Sequence, residues 1–92
     1  MLIVGIDMAK SKFDAGLWID HQGQTLGQFA NDNDGYALME QNIRQQFPEA
    51  EIIKLIIEPT GGYEMGLILY ALEQEWQVSL PNPKMVKDWA KG

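Results

Sequence analysis

The chain has 92 residues, 46% of them hydrophobic, with a formal net charge of −6. That length suits one small domain or a piece of a larger one, and the apolar content excludes a disordered chain. Cysteine is absent and histidine occurs once, which excludes disulfides, thiolate metal sites and multi-histidine metal sites.

The single histidine, His21, stands in the turn-like DHQGQ and reads as a solvated turn residue. No apolar run reaches membrane-spanning length, and the N-terminus enters a strand pattern without a secretory leader. The expectation is therefore a cytoplasmic chain with no membrane partner. A sequence pI near 4.5 argues against a surface that grips nucleic acid over its whole extent by counterion release. The charge is uneven, however: the tail PNPKMVKDWAKG sets Lys84, Lys87 and Lys91 against Asp88 alone.

In chain order, MLIVGIDMA is a continuous apolar run, as expected of a strand buried on both faces. KSKF breaks it. FDAGLWID, with Phe13, Leu17, Trp18 and Ile19, predicts a second strand, DHQGQ a turn, and TLGQFAN a third strand. Short connections make these an antiparallel meander. After the capping cluster NDNDG, Tyr36, Met39, Ile43 and Phe47 recur on one helical face, and Pro48 ends the helix. EIIKLIIE is a fourth, nearly all-apolar strand. GYEMGLILYALEQEW predicts an amphipathic helix with Met65, Ile68, Leu69, Leu72 and Trp76 on its apolar stripe. QVSLPN is a short fifth strand, and PKMVKDWAK, with Pro83 at a first helical position, begins a further helix.

The order β-β-β-α-β-α-β-α places a helical crossover between the third and fourth strands, and a crossover between neighbouring strands implies parallel pairing. With the first strand beside the fourth, the result is an α/β mixed sheet of the ribonuclease H-like arrangement. Resolvases, transposases and actin-like kinases share that arrangement.

In VGIDMAKSK, Asp7 lies near the carboxyl end of the first strand; in LIIEPTGGYE, Glu58 ends the fourth. Parallel neighbours about 4.8 Å apart would bring these ends together. Two carboxylates facing one crevice suit a hard divalent cation such as Mg²⁺, which takes oxygen ligands and keeps several waters. Ligands gather at such strand ends in open sheets. An acidic residue in each of two apolar strands is costly when unpaired, which favours a shared role over two chance strand-end residues. Pro59 helps to end its strand. Thr60, Gly61 and Gly62 allow a tight turn into a helix start whose free amides would suit a phosphate oxygen. Lys10 and Lys12 read first as solvated turn lysines, with phosphate contact as the functional alternative. Asp14 reads as a solvent-facing or turn-capping residue, the three tryptophans as core or interface residues, and Tyr63 as a packing residue.

GIDMAKSKFDAGLW, EPTGGYE and LPNPKMVKDWAKG, in that order, resemble the N-terminal region of the DEDD-type insertion-sequence transposases, which include the pilin-gene invertases. The resemblance implies a RuvC-like, ribonuclease H-type fold with a catalytic set of three aspartates and one glutamate. The first aspartate falls on Asp7 and the glutamate on Glu58, which would be the catalytic and metal-binding residues for Mg²⁺ or Mn²⁺. It also implies that the other two aspartates, in an Asp-x-x-Asp context, lie beyond Gly92. Beyond Gly92 too are expected a second domain bearing a nucleophilic serine and most of the region that binds DNA and a guide RNA. Residues 1–92 are thus expected to form the N-terminal part of a RuvC-like catalytic domain, incomplete at its C-terminus, inactive alone and weak in metal binding. Loss of the covering helix would leave Met85, Val86 and Trp89 exposed, and a homo-oligomer is expected.

Two other classes remain open to the sequence. A nucleotide-binding fragment of an actin-like sugar kinase would share the strand-Gly-x-Asp opening, but Met8-Ala9-Lys10-Ser11-Lys12 departs from the glycine- and threonine-rich phosphate turn of those enzymes. A non-catalytic interaction module is the third reading.

Overall fold

In the computed structural model, which describes residues 1–19, 22–58 and 60–81, the N-terminal run LIVGIDM forms the central strand β1 (Leu2–Met8). It pairs antiparallel with β2 (Lys12–Ile19) on one side and parallel with β4 (Ile53–Ile57) on the other. The outer strands are β3 (Gln22–Ala30), antiparallel to β2, and β5 (Gln77–Ser79), parallel to β4, so the sheet runs β3-β2-β1-β4-β5. Helices α1 (Asn33–Gln46) and α2 (Met65–Glu73) are the crossovers that make the parallel pairs possible. The result is an α/β domain with a five-stranded mixed sheet and two helices. The helix expected over PKMVKDWAK, and with it Met85, Val86 and Trp89, lies outside the described residues, as does His21.

Alternation along the strands puts one face of the sheet in the core. Val4, Ile6, Phe13, Ala15, Leu17, Ile53, Leu55 and Ile57 are buried there with Tyr36, Met39 and Ile43 of α1 and Leu67 and Ala71 of α2. Each fully buried aliphatic side chain contributes about 1.5–3 kcal/mol. The sequence reading of β1 as buried on both faces needs correction among the described residues, and β4 shares its open face. Ile3, Gly5, Lys54 and Ile56, which point the other way, are only half-buried, and Asp7 is exposed. Five residues are too few for an apolar run to reveal whether one face or two is covered.

Helix α1 begins where the sequence places its cap. Asp32 is extended and its Oδ1 accepts from the Gly35 amide at 2.8 Å. Asp34 in the first turn and Arg44 in the last suit the helix dipole. The Phe47 amide closes the last turn on the Ile43 carbonyl at 2.8 Å.

Helix α2 differs from expectation in phase. Met65, Leu69 and Leu72 are more than half exposed, while Leu67 and Ala71 are fully buried and Ile68 and Tyr70 partly so. MGLILYAL is apolar all round, so its periodicity carries no rotational information. Contacts outside the helix set the phase. A side chain on Gly66 would begin 2.5 Å from the Tyr36 hydroxyl, the Tyr70 ring meets the Tyr36 ring at 5.7 Å, and the Tyr70 hydroxyl donates to Glu40 at 2.5 Å. Burial, together with that bond to Glu40, pushes the Tyr70 hydroxyl up to about 12. The helix ends in a Schellman turn. The Trp76 amide donates to Ala71 and the Glu75 amide to Leu72, with Glu75 at φ 63°. That turn buries Trp76 and starts β5.

Among the described glycines the tightest site is Gly35, where an added Cβ would stand 1.8 Å from the Ala30 carbonyl oxygen. This contact seats the first turn of α1 on the end of β3. Gly35→Ala should therefore lower stability by about 2 kcal/mol or more, despite the ~1 kcal/mol that alanine adds to helix propensity. Thermal unfolding checks this, and an unchanged or raised midpoint would contradict it.

Candidate functional site

The site grows out of one register. Ile6 pairs with Ile57 as the last rung of the parallel β1–β4 ladder, and Asp7 and Glu58 are the residues that follow it on the two chains. Both follow a buried isoleucine and so turn to the open face of the sheet, at the carboxyl ends of their strands. On its other side Asp7 stands directly opposite Asp14 of β2. Three neighbouring strands thus carry carboxylates at one level. Asp14 accepts a hydrogen bond from Gln28 Nε2 of β3 at 3.1 Å.

These side chains line a crevice of about 650 Å³ together with Gly5, Gly16, Thr25, Ile56, Ser79 and Pro81. Gly5 and Gly16 are register partners two rungs away, on the same face, so the floor beside the carboxylates is bare backbone. Neither glycine is needed for clearance, since a Cβ on Gly5 would find its nearest neighbour at 4.0 Å and one on Gly16 at 3.6 Å. Their effect is to leave space.

The lining offers oxygen donors without histidine or thiolate, which suits a hard cation and not a soft one. Among the described residues, no three acidic or histidine side chains converge closely enough to hold an ion between them. A cation here would take two carboxylates and retain most of its water.

The turn after Glu58 behaves differently from the expectation of free amides. Glu64, 7% exposed, folds back over it. Its Oε2 accepts from the Thr60 hydroxyl at 2.5 Å and from the Thr60 and Gly62 amides at 3.2 Å each. The donors that would have met a phosphate oxygen are held by the chain's own carboxylate, and a phosphate would have to displace it. Gly61 and Gly62 have φ of 82° and 132°, where a side chain would be strained, so both glycines are required by the turn itself. Lys10 and Lys12 are exposed around the β1–β2 turn, and Tyr63 is half exposed. Trp76 is core, Trp18 is 44% exposed, and Trp89 and Pro59 lie outside the described residues.

A residue the sequence reading passed over joins the loops on both sides of the crevice. Asn31, just past β3, donates from Nδ2 to the Ala9 and Lys10 carbonyls at 3.2 Å and to the Tyr63 carbonyl at 3.0 Å. Its Oδ1 accepts from the Tyr36 hydroxyl. The only local signal was its position in the capping cluster NDNDG, where the neighbouring Asp32 takes the cap.

Acidic side chains at the carboxyl ends of adjacent parallel strands, beside a glycine floor, make this crevice the candidate site. The sequence comparisons identify the family. The profile of the DEDD transposases of the IS110 type, described as transposase, matches residues 4–92. The chain is also 33% identical over 88 residues to the pilin gene-inverting proteins of Moraxella lacunata and Moraxella bovis, covering 96% of this chain and 27% of each relative. The chain belongs to this transposase family, and it spans about a quarter of the length of the curated relatives it matches. Membership sets aside the sugar-kinase reading. Among the described residues no helix is long and apolar enough to cross a membrane.

Glu64 yields a pH test. The Thr60 hydroxyl first, and the backbone amides after it, hold its carboxyl below the ordinary carboxylate range, against the effect of burial. A lowered folded-state value means that the ionised form stabilises the fold; the contribution is complete above about pH 5 and is lost as pH falls below about 4. The Tm of Glu64→Gln should therefore lie below that of the wild type at pH 7, with the gap closing as pH falls through 4. A gap that stays constant with pH would contradict it.

Proposed function

We propose that this chain is the N-terminal part of a ribonuclease H-like, RuvC-type catalytic domain of a DNA recombinase, with Asp7 and Glu58 as its share of a metal-dependent phosphoryl-transfer site. The observation that carries the reading is the β1–β4 register. It delivers both carboxylates to one crevice in a chain whose family is that of the transposases. The printed name of the two Moraxella relatives, pilin gene-inverting protein, describes a rearrangement of DNA.

The local charge supports a cation as intermediary. Asp7, Asp14 and Glu58 would by themselves repel a phosphodiester, whereas a bound Mg²⁺ or Mn²⁺ inverts the sign of the potential there. Asp7 and Glu58 would hold it, and when bound it would polarise a phosphoryl oxygen and activate an attacking one. The chain's own contribution is to fix two ligands on rigid strand ends and to leave a bare floor where a nucleic-acid backbone can approach. Lys10, on the adjacent turn, is placed to meet phosphate outside the crevice. The remaining ligands, the nucleophile and most of the DNA- and guide-RNA-binding surface belong to the rest of the parent protein, which acts as a homo-oligomer in this reading.

Two outcomes test the proposal. In the metal-free chain Asp7→Asn should raise stability by roughly 0.2–1 kcal/mol, because like charges on directly opposed strand positions repel. Wild type should gain about 1.4 kcal/mol at a Mn²⁺ concentration ten times its Kd, read as a Tm increase of several degrees. Asp7→Asn and Glu58→Gln should lose that gain, and an equal gain in all three proteins would refute the assignment.

The second outcome concerns activity. The 92-residue chain by itself should not cleave DNA with Mg²⁺ or Mn²⁺, since two carboxylates cannot hold ions on both the attacking and leaving oxygens. Metal-dependent cleavage abolished by Asp7→Asn would place a complete active site within these residues instead.

A further inference from the structure

The β1–β2 ladder closes the turn that follows Asp7, through the Met8–Phe13 pair and the Ala9 amide on the Lys12 carbonyl, but the parallel β1–β4 ladder ends at Ile6–Ile57 and pairs nothing in that turn with the turn that follows Glu58. Yet the carboxylates can act on one ion only if both strand ends keep a fixed separation. We infer that Asn31 is the positioning residue that sets this separation, by clamping the Ala9–Lys10 turn to the Thr60–Glu64 turn. The inference rests on the reading of Asp7 and Glu58 as metal ligands.

The hydrogen-bond chemistry makes asparagine specific at this position. Three backbone carbonyls, of Ala9, Lys10 and Tyr63, converge on one side-chain atom, and carbonyls only accept. The atom facing them must therefore be the amide nitrogen. The Tyr36 hydroxyl donates to Oδ1 and holds the amide in that orientation. Tyr36 is itself 3% exposed, with its ring set against Phe13 and Tyr70, so the orientation is imposed by the core. Aspartate would set oxygen against the carbonyls, and a hydroxyl side chain would offer one donor on a shorter stem. The Asn31 amide nitrogen on the main chain also donates to Ser11 at 3.0 Å, which fixes the residue to the β1–β2 turn independently of its side chain.

Through these bonds Asn31 spans the residues two and three beyond Asp7 and the residue five beyond Glu58. Glu64 completes the second turn by tying Thr60 and Gly62 together, so that the pull on the Tyr63 carbonyl is transmitted to the strand end. Outer-shell groups that orient metal ligands typically cost about 10–100-fold in metal affinity when removed.

The experiment compares Asn31→Ala, Tyr36→Phe and Ile43→Val with wild type in two measurements. Ile43 is fully buried on α1 and takes no part in the clamp, so its variant reports general destabilisation. Amide hydrogen exchange on the metal-free proteins should speed up together in residues 9–12 and 60–64 of Asn31→Ala, and less strongly in Tyr36→Phe. Ile43→Val should leave the two turns linked. Mn²⁺ titration followed by electron paramagnetic resonance should give an affinity about ten-fold weaker for Asn31→Ala, an intermediate loss for Tyr36→Phe, and wild-type affinity for Ile43→Val.

Faster exchange in one turn alone, or in neither, would overturn the clamp. Coupled exchange with unchanged Mn²⁺ affinity, or an equal loss of affinity in Ile43→Val, would overturn the positioning role. A wild-type chain that takes up no Mn²⁺ would instead remove the metal assignment of Asp7 and Glu58, and would reduce Asn31 to a structural tie.

Discussion

The parallel pairing of β1 with β4 is the constraint on which the rest of this structure depends. A parallel neighbour ends at the same edge of the sheet as the strand beside it, so Glu58 arrives where Asp7 does. The antiparallel neighbour β2 starts near that edge and brings Asp14 to the same level from the opposite direction. A central strand flanked by one partner of each kind is what gathers acidic residues from distant parts of the chain into one crevice. The pairing in turn requires a crossover, which α1 supplies, and α1 needs the Gly35–Ala30 contact to lie close enough to β3 to reach back.

The two faces of the sheet divide the work between them. The face against the helices buries a continuous apolar set, and its stabilisation offsets the repulsion that the other face accumulates. Such a split is a common arrangement at functional sites, where local electrostatic cost is tolerated because packing elsewhere exceeds it. Here the cost is concentrated at the Asp7–Asp14 pair, beside the bare floor of the Gly5–Gly16 pair. Side chains on those residues would fill the space next to the carboxylates without conflicting with the sheet.

The loops at the carboxyl edge follow the same logic through hydrogen bonds. Asn31 and Glu64 between them take up donors and acceptors of turns that no ladder satisfies. Polar groups hold both turns, and polar groups impose geometry more strictly than packing does. An edge meant to present two carboxylates at a fixed spacing benefits from that strictness.

By itself the sequence determined the elements and their order through β5, the capping cluster NDNDG before α1, the apolar face of α1, and Asp7 and Glu58 as the acidic residues ending two core strands. These features are local, written in period, capping chemistry and strand composition; the expectation that the two carboxylates belong together came from the expected parallel pairing of their strands and from the family resemblance. Tertiary structure decided what local pattern cannot encode. It set the rotation of α2, whose residues are apolar on every side, by the fit of Gly66 and Tyr70 against Tyr36. It left one face of β1 and β4 open, which an apolar run of five to seven residues does not reveal. It made Asn31 a link between three segments, because hydrogen bonds across 21 to 32 residues depend on where the chain returns and not on the residues beside them.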